Sequence, residues 1–212
     1  MPSPKRAAPT RGRNREATEQ RLVDACERIL LKHGPEGIGV NIVVEEAGVG
    51  KQLLYRYFDG LPGLVQAWLQ RSANWPTADE LVGNRDDFDD LPYREKVKRI
   101  QRNYLAALRQ RPVITRLMAS ELMNPTAITN VLESVSDNIG RELAQILSEL
   151  DDRSREDLVD LSLVFYCMFN YLAMRSVTSP QCFGMDLGTD AAWLRVEAIV
   201  ERLVDRYLDD DG

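Results

Sequence analysis

Apolar residues recur at helical spacing from the first quarter of the chain to its end. Leu22, Ala25, Cys26, Ile29 and Leu30 form one stripe over residues 18–33, with Thr18 as the expected cap and Gly34–Pro35 as the stop. Val40, Val43, Val44 and Ala47 form a second stripe, followed by Gly48 where a left-handed residue ends a helix at least cost. After Val49 turns inward, Gly50 opens a third helix whose buried side is marked by Leu54 and Phe58. The pattern predicts a fourth helix over 61–72, carrying Leu64, Val65, Trp68 and Leu69, with Pro62 in the first turn where amides have no helical partner anyway.

Beyond a break the helical period resumes. Residues 74–91 contain Pro76, Gly83 and the acidic run Asp86, Asp87, Asp89, Asp90, which lacks the spacing of a calcium loop and reads as a solvated linker. Val97, Ile100, Tyr104, Leu105 and Leu108 mark a helix over 93–109, and Ile114, Leu117, Met118 and Leu122 a short one after Pro112. Long helices are predicted over 126–150, 154–177 and 190–208, the last two separated by TSPQCFGMDLGT. The first of that pair is apolar on opposite sides: Leu158, Leu161, Phe165, Met168 and Leu172 on one, Leu163, Tyr166, Asn170 and Met174 on another. Such a helix needs two partners. Its length raises the membrane question, but Asp160, Asn170 and Arg175 interrupt it, so a buried helix of an all-α soluble protein, without a membrane partner, is expected.

Charge narrows the expectation. The net charge is −6 over 212 residues, yet residues 1–58 hold 10 Lys and Arg against 7 Asp and Glu, while the remainder holds 17 against 26. Phosphate responds to local charge within a Debye length of about 8 Å, so an acidic distant body does not prevent nucleic-acid binding. Cys26, Cys167 and Cys182 are widely spaced and His33 is the only histidine. These numbers favour neither a disulfide framework nor a thiolate or histidine metal site, and no nucleophile motif accompanies His33. No catalytic residue, metal or cofactor is expected, and a reducing cytoplasm is the simplest setting.

The third helix carries the candidate chemistry. Lys51, Gln52, Leu53, Arg56 and Tyr57 can project outward together, with Tyr55 beside them. In a major groove Gln52 would suit an adenine edge, Lys51 or Arg56 a guanine or phosphate, Leu53 a thymine methyl, and the two tyrosines phosphate oxygens. A merely solvated face is the alternative. Residues 1–15 hold Lys5, Arg6, Arg11, Arg13 and Arg15 and suit either a DNA-reaching arm or a solubilising tail.

AGV, then five residues, then YRYF, following an amphipathic helix that ends in HGPEG, resembles the amino-terminal domain of the TetR/AcrR family of bacterial transcriptional regulators. The resemblance covers residues 21–64. It implies a flexible basic arm over 1–17, a three-helix helix-turn-helix DNA-binding domain over 18–60, and a larger helical ligand-binding and dimerisation domain over 61–212. It also implies a homodimer that pairs its last two long helices, through Trp193, Val196, Ile199, Val200 and Leu203, and binds a near-palindromic double-stranded DNA operator until a small-molecule effector releases it. A repressor is the usual form. Tyr104, Arg116, Met118, Glu121, Tyr166, Asn170 and Met174 combine polar tips with inward or border positions, as an effector pocket requires, with ordinary core packing or surface exposure as the alternative for each. Arg116 would pair either an anionic ligand or Glu121. Gly39, Gly50 and Gly60 stand where the family usually has Ser or Thr, and Leu61 where Lys is common. These departures keep open a second reading, a protein-interaction module with weakened or lost DNA binding.

Overall fold

The computed structural model of the chain describes residues 11–71, 74–147 and 152–209, the side chains at 11–13, 152–155 and 209 excepted. The fold is all-helical, with eleven α-helices, one 3-10 turn and a single small hairpin among the described residues. Contacts divide the chain after Arg71 into two compact units.

The first unit contains α1 (Arg11–His33), α2 (Val40–Ala47), α3 (Lys51–Phe58) and α4 (Leu61–Arg71). α1 is its spine and packs against both α2 and α4. Leu22, Ala25, Cys26, Leu30, Val43, Leu54, Leu64 and Trp68 are fully buried or nearly so, as the helical stripes predict. The beginning of α1 differs from expectation. It starts at Arg11, and Thr18 is an internal residue whose hydroxyl donates to the Asn14 carbonyl 2.8 Å away, so it caps nothing. Residues 11–15 of the expected arm are therefore helical, while Lys5 and Arg6 lie outside the described residues.

Two glycines set the geometry around α3. Gly48 takes the left-handed conformation (φ 61°, ψ 41°), and its N–H donates back to the Glu45 and Val44 carbonyls, turning the chain sharply between α2 and α3. At Gly63 a β-carbon would lie 1.9 Å from the Phe58 carbonyl oxygen, so glycine alone lets the first turn of α4 approach the end of α3 this closely. α4 thus packs with the head.

The second unit contains α5 (Ala78–Val82), α6 (Arg85–Asp89), α7 (Tyr93–Arg109), α8 (Pro112–Met123), α9 (Ala127–Ile146), α10 (Asp152–Thr178), β1 (Gln181–Cys182), β2 (Met185–Asp186) and α11 (Asp190–Asp209). The stretch expected as a solvated linker holds α5 and α6 instead. The Thr77 hydroxyl caps α5 by accepting from the Glu80 N–H, and the Asn84 side chain caps α6 by accepting from the Asp87 N–H. Trp75, Leu81, Val82 and Phe88 from this stretch are buried. The acidic run that suggested solvent contributes Asp86 and Asp87 to the first turn of α6, where negative charge favours a helix, and Asp89 pairs with Arg85 at 3.0 Å.

α7 is the spine of the body and packs against α5, α10 and α11. Val97, Leu105 and Leu108 share one core with Phe165 and Phe169 of α10 and Trp193, Val196 and Val200 of α11. This corrects the expected dimer surface: Trp193, Val196 and Val200 are committed to their own chain's core, whereas Leu203 is 45% exposed. The outward apolar faces are Val159, Leu163, Val164 and Tyr171 on α10 and Leu194, Leu203 and Tyr207 on α11. α10 is long and apolar enough to cross a membrane by composition, but Leu158, Leu161, Phe165, Phe169 and Ala173 along it belong to the core.

Candidate nucleic-acid interface

Helix α3 is eight residues long and is anchored through fully buried Leu54. One anchor on a short helix leaves most of its circumference free. Lys51, Gln52, Tyr55 and Arg56 are exposed, while Leu53 and Tyr57 are half-buried. The face combines two cationic groups, an amide and a phenol within two turns. That set can donate to phosphates and also address base edges. The N-terminal caps of α2 and α3, Gly39 and Gly50, form no side-chain cap hydrogen bond. Ile42 on α2 is 49% exposed.

Tyr57 is occupied in a way its position in the sequence does not suggest. The Arg15 guanidinium from α1 lies over its ring. Arg15 Nε donates to Glu19 at 2.7 Å, and the other oxygen of the same carboxylate accepts from Arg71 of α4 at 3.3 Å. The hydrogen bond to Glu19 and the charge of its carboxylate raise the Arg15 pKa above its already high ordinary value. Glu19 thereby joins α1 and α4, and through Arg15 reaches α3. Only the Arg15–Glu19 half of this network has a sequence signal, an i,i+4 pair of opposite charge. Arg71 comes from 52 residues away.

In the body, the residues singled out for an effector separate into two groups. Tyr104, Asn170 and Tyr166 meet: the Tyr104 hydroxyl donates to Asn170 Oδ1 at 2.9 Å, and the Tyr104 and Tyr166 rings stack with centroids 6.0 Å apart. Tyr166 is pinned in turn by a 3.0 Å hydrogen bond with Ser136 of α9. Burial and the neighbouring Tyr166 raise the Tyr104 pKa far above the ordinary tyrosine range, so its hydroxyl is held as a neutral donor. Asn170 therefore belongs to the inward side of α10, not the outward one. Met174 is half-buried one turn further along.

Glu121 has a different occupation. Its buried carboxylate accepts from the Thr126 N–H at 2.9 Å and from the Thr126 and Thr129 hydroxyls, each at 2.8 Å, tying the end of α8 to the start of α9. Arg116 is exposed and forms no ion pair with Glu121 among the described residues, and Met118 is half-buried. A crevice between α7 and α11, bordered by Lys98, Gln101, Arg102, Glu197 and Glu201, was not anticipated from the sequence. Its polar residues carry no motif.

The profile of the bacterial regulatory proteins, tetR family, matches residues 22–67, which run from α1 into α4. Over 59 residues the chain is 37% identical to an uncharacterized HTH-type transcriptional regulator of Mycobacterium tuberculosis, covering 28% of this chain and 29% of that one. Over 121 residues it is 30% identical to the HTH-type transcriptional repressor DrrR1 of Streptomyces coeruleorubidus, covering 57% of this chain and 43% of that one. The match thus spans less than half the length of either relative. A TetR-like transcriptional regulator from Rhodococcus sp. RHA1 shares the fold across 91% of this chain and 96% of its own, with a TM-score of 0.53 at 19% identity. The chain thus carries a tetR-family amino-terminal domain over residues 22–67, on a fold shared with a solved TetR-like regulator.

Proposed function

We propose that the protein is a ligand-responsive, DNA-binding transcriptional regulator that acts as a homodimer on a near-palindromic operator. The observation that carries this reading is the exposure of Lys51, Gln52, Tyr55 and Arg56 on the helix that follows the Gly48 turn. A helix held from behind and polar in front suits a major groove, and two heads related by a two-fold axis read half-sites about 34–36 Å apart or a multiple of that. The apolar rows on α10 and α11 supply the second requirement, a surface for another copy, because they leave large side chains in water that the chain's own core does not use. Repression, the activity named for the Streptomyces relative, is the sense proposed here. The effector site proposed is at Tyr104, Tyr166 and Asn170, a reading supported by the polar tips that meet stacked rings between three helices.

A fluorescence-anisotropy titration against random and genomically selected DNA at several salt concentrations tests the reading. It predicts a preference for selected fragments and an affinity that falls linearly with salt on logarithmic axes. The lack of a side chain at Gly39 and Gly50 favours the second reading, an interaction module with lost DNA binding. Equal affinity for selected and random DNA would establish that one instead.

A further inference from the structure

The segment between α10 and α11 is a short hairpin with an exposed aromatic tip. Gln181 pairs with Asp186 and Cys182 with Met185, leaving a two-residue loop of Phe183 and Gly184. Both loop residues have positive φ, 47° and 75°. Asn-Gly or Asp-Gly is the usual occupant of such a loop, because a side chain at the first position otherwise strains the backbone. Phenylalanine there is costly, and its ring recovers nothing within this chain, since Phe183 is completely exposed.

The base of the hairpin is tied down. Arg175 Nη2 donates to the Gln181 carbonyl at 2.6 Å, the Leu187 N–H donates to the Pro180 carbonyl at 2.9 Å, and Trp193 Nε1 donates to the Leu187 carbonyl at 2.8 Å. Leu187 itself is buried in the core. The ring is therefore presented by a fixed support.

Its position indicates what it is presented to. Val159, Leu163, Cys167 and Tyr171 follow one another at four-residue intervals along α10 and are all exposed. The next residue of this ridge is Arg175, which holds β1, so the hairpin stands at the carboxyl end of the outward row. We infer that Phe183 is an aromatic anchor for a second copy of this chain, extending the α10–α11 pairing beyond the helices. The inference rests on the dimer proposed above and adds the residue that strengthens it. Anchors of this kind lose water completely on association and carry a disproportionate share of affinity.

Sedimentation velocity of the full chain over a concentration series tests it, with Phe183→Asn, Phe183→Trp and Leu163→Asp alongside wild type. Asparagine tolerates positive φ, so Phe183→Asn should weaken dimerisation by about tenfold or more while the thermal midpoint of the dissociated chain stays the same or rises. Phe183→Trp should associate like wild type. If Phe183→Asn dimerises as wild type does while Leu163→Asp does not, the anchor is refuted and the helix pairing stands. A wild type that remains monomeric throughout refutes the pairing itself. Unaltered dimerisation of Phe183→Asn together with lost binding to lipid vesicles also refutes the anchor and assigns the ring to a membrane.

Discussion

The guanidinium of Arg15 lies 5.2 Å from the centroid of the Tyr57 ring, so the start of α1 covers one end of α3, the helix proposed to read DNA. Glu19 holds Arg15 there while also engaging Arg71. Arg15→Ala should uncover Tyr57, remove one cation from the binding face, and lower DNA affinity by roughly threefold to tenfold with a shallower salt slope. Anisotropy titrations at two salt concentrations check this. An unchanged slope would show that Arg15 serves only to support the fold.

Gly50 tolerates a side chain. Its backbone is extended (φ −73°, ψ 141°) and a β-carbon would meet nothing within 4 Å. Gly50→Ser should cap α3, stabilising the head by a few tenths of a kcal/mol, and should add a hydroxyl in reach of phosphate that tightens DNA binding about twofold to fivefold. Chemical denaturation and anisotropy give the two numbers independently. Weaker binding by the serine variant would mean that the turn itself approaches the DNA backbone more closely than any side chain allows.

Tyr104→Phe removes the donor to Asn170 while retaining the ring. The amide oxygen is then left in a buried site, at a cost of about 1–3 kcal/mol, and for a chain of this size each kcal/mol lowers the melting temperature by about 2–4 °C. Differential scanning calorimetry measures the loss. A melting temperature equal to that of wild type would indicate that water already satisfies Asn170.

Burial pushes the Cys26 thiol up to about 12, with the charge of Glu27 adding to the effect. The folded pKa is raised, so the contribution of this thiol to stability is complete below the unfolded value near 8.5. It is lost as pH climbs from there toward 12, at about 1.4 kcal/mol per pH unit once the unfolded thiol has ionised. Urea unfolding at pH 8 and pH 10 should therefore show a steeper alkaline loss for wild type than for Cys26→Ala. Parallel losses in the two proteins would place the thiol in contact with water.

The head was legible because its signals are local. Leu22, Cys26, Ile29 and Leu30 repeat at helical spacing, and Gly48 marks a turn that few other residues can make, so both periodicity and backbone chemistry pointed the same way. The start of α1 was misplaced because Thr18 has the chemistry of a cap, and a hydroxyl that bonds back to Asn14 inside a helix leaves the same trace in the sequence. In the body, helix periodicity identifies an apolar face without saying which element covers it. Trp193, Val196 and Val200 are equally suited to a core and to a dimer interface, and only the tertiary packing against α7 assigns them to the core. The contacts of Glu121 were illegible for a related reason, because its partners Thr126 and Thr129 belong to the cap of the next helix, and nothing in the sequence says that the end of α8 meets it. The hairpin is too short to register as a periodic pattern at all.

The most direct test of the central claim is a competition titration in which a genomically selected DNA fragment and its scrambled counterpart compete for wild type, Gln52→Ala and Arg56→Ala. Wild type should prefer the selected fragment, and each substitution should cost about 1–3 kcal/mol on that fragment and much less on the scrambled one, so that specificity relaxes. Losses of equal size on both fragments, or none on either, would contradict the assignment of α3 as the element that reads sequence.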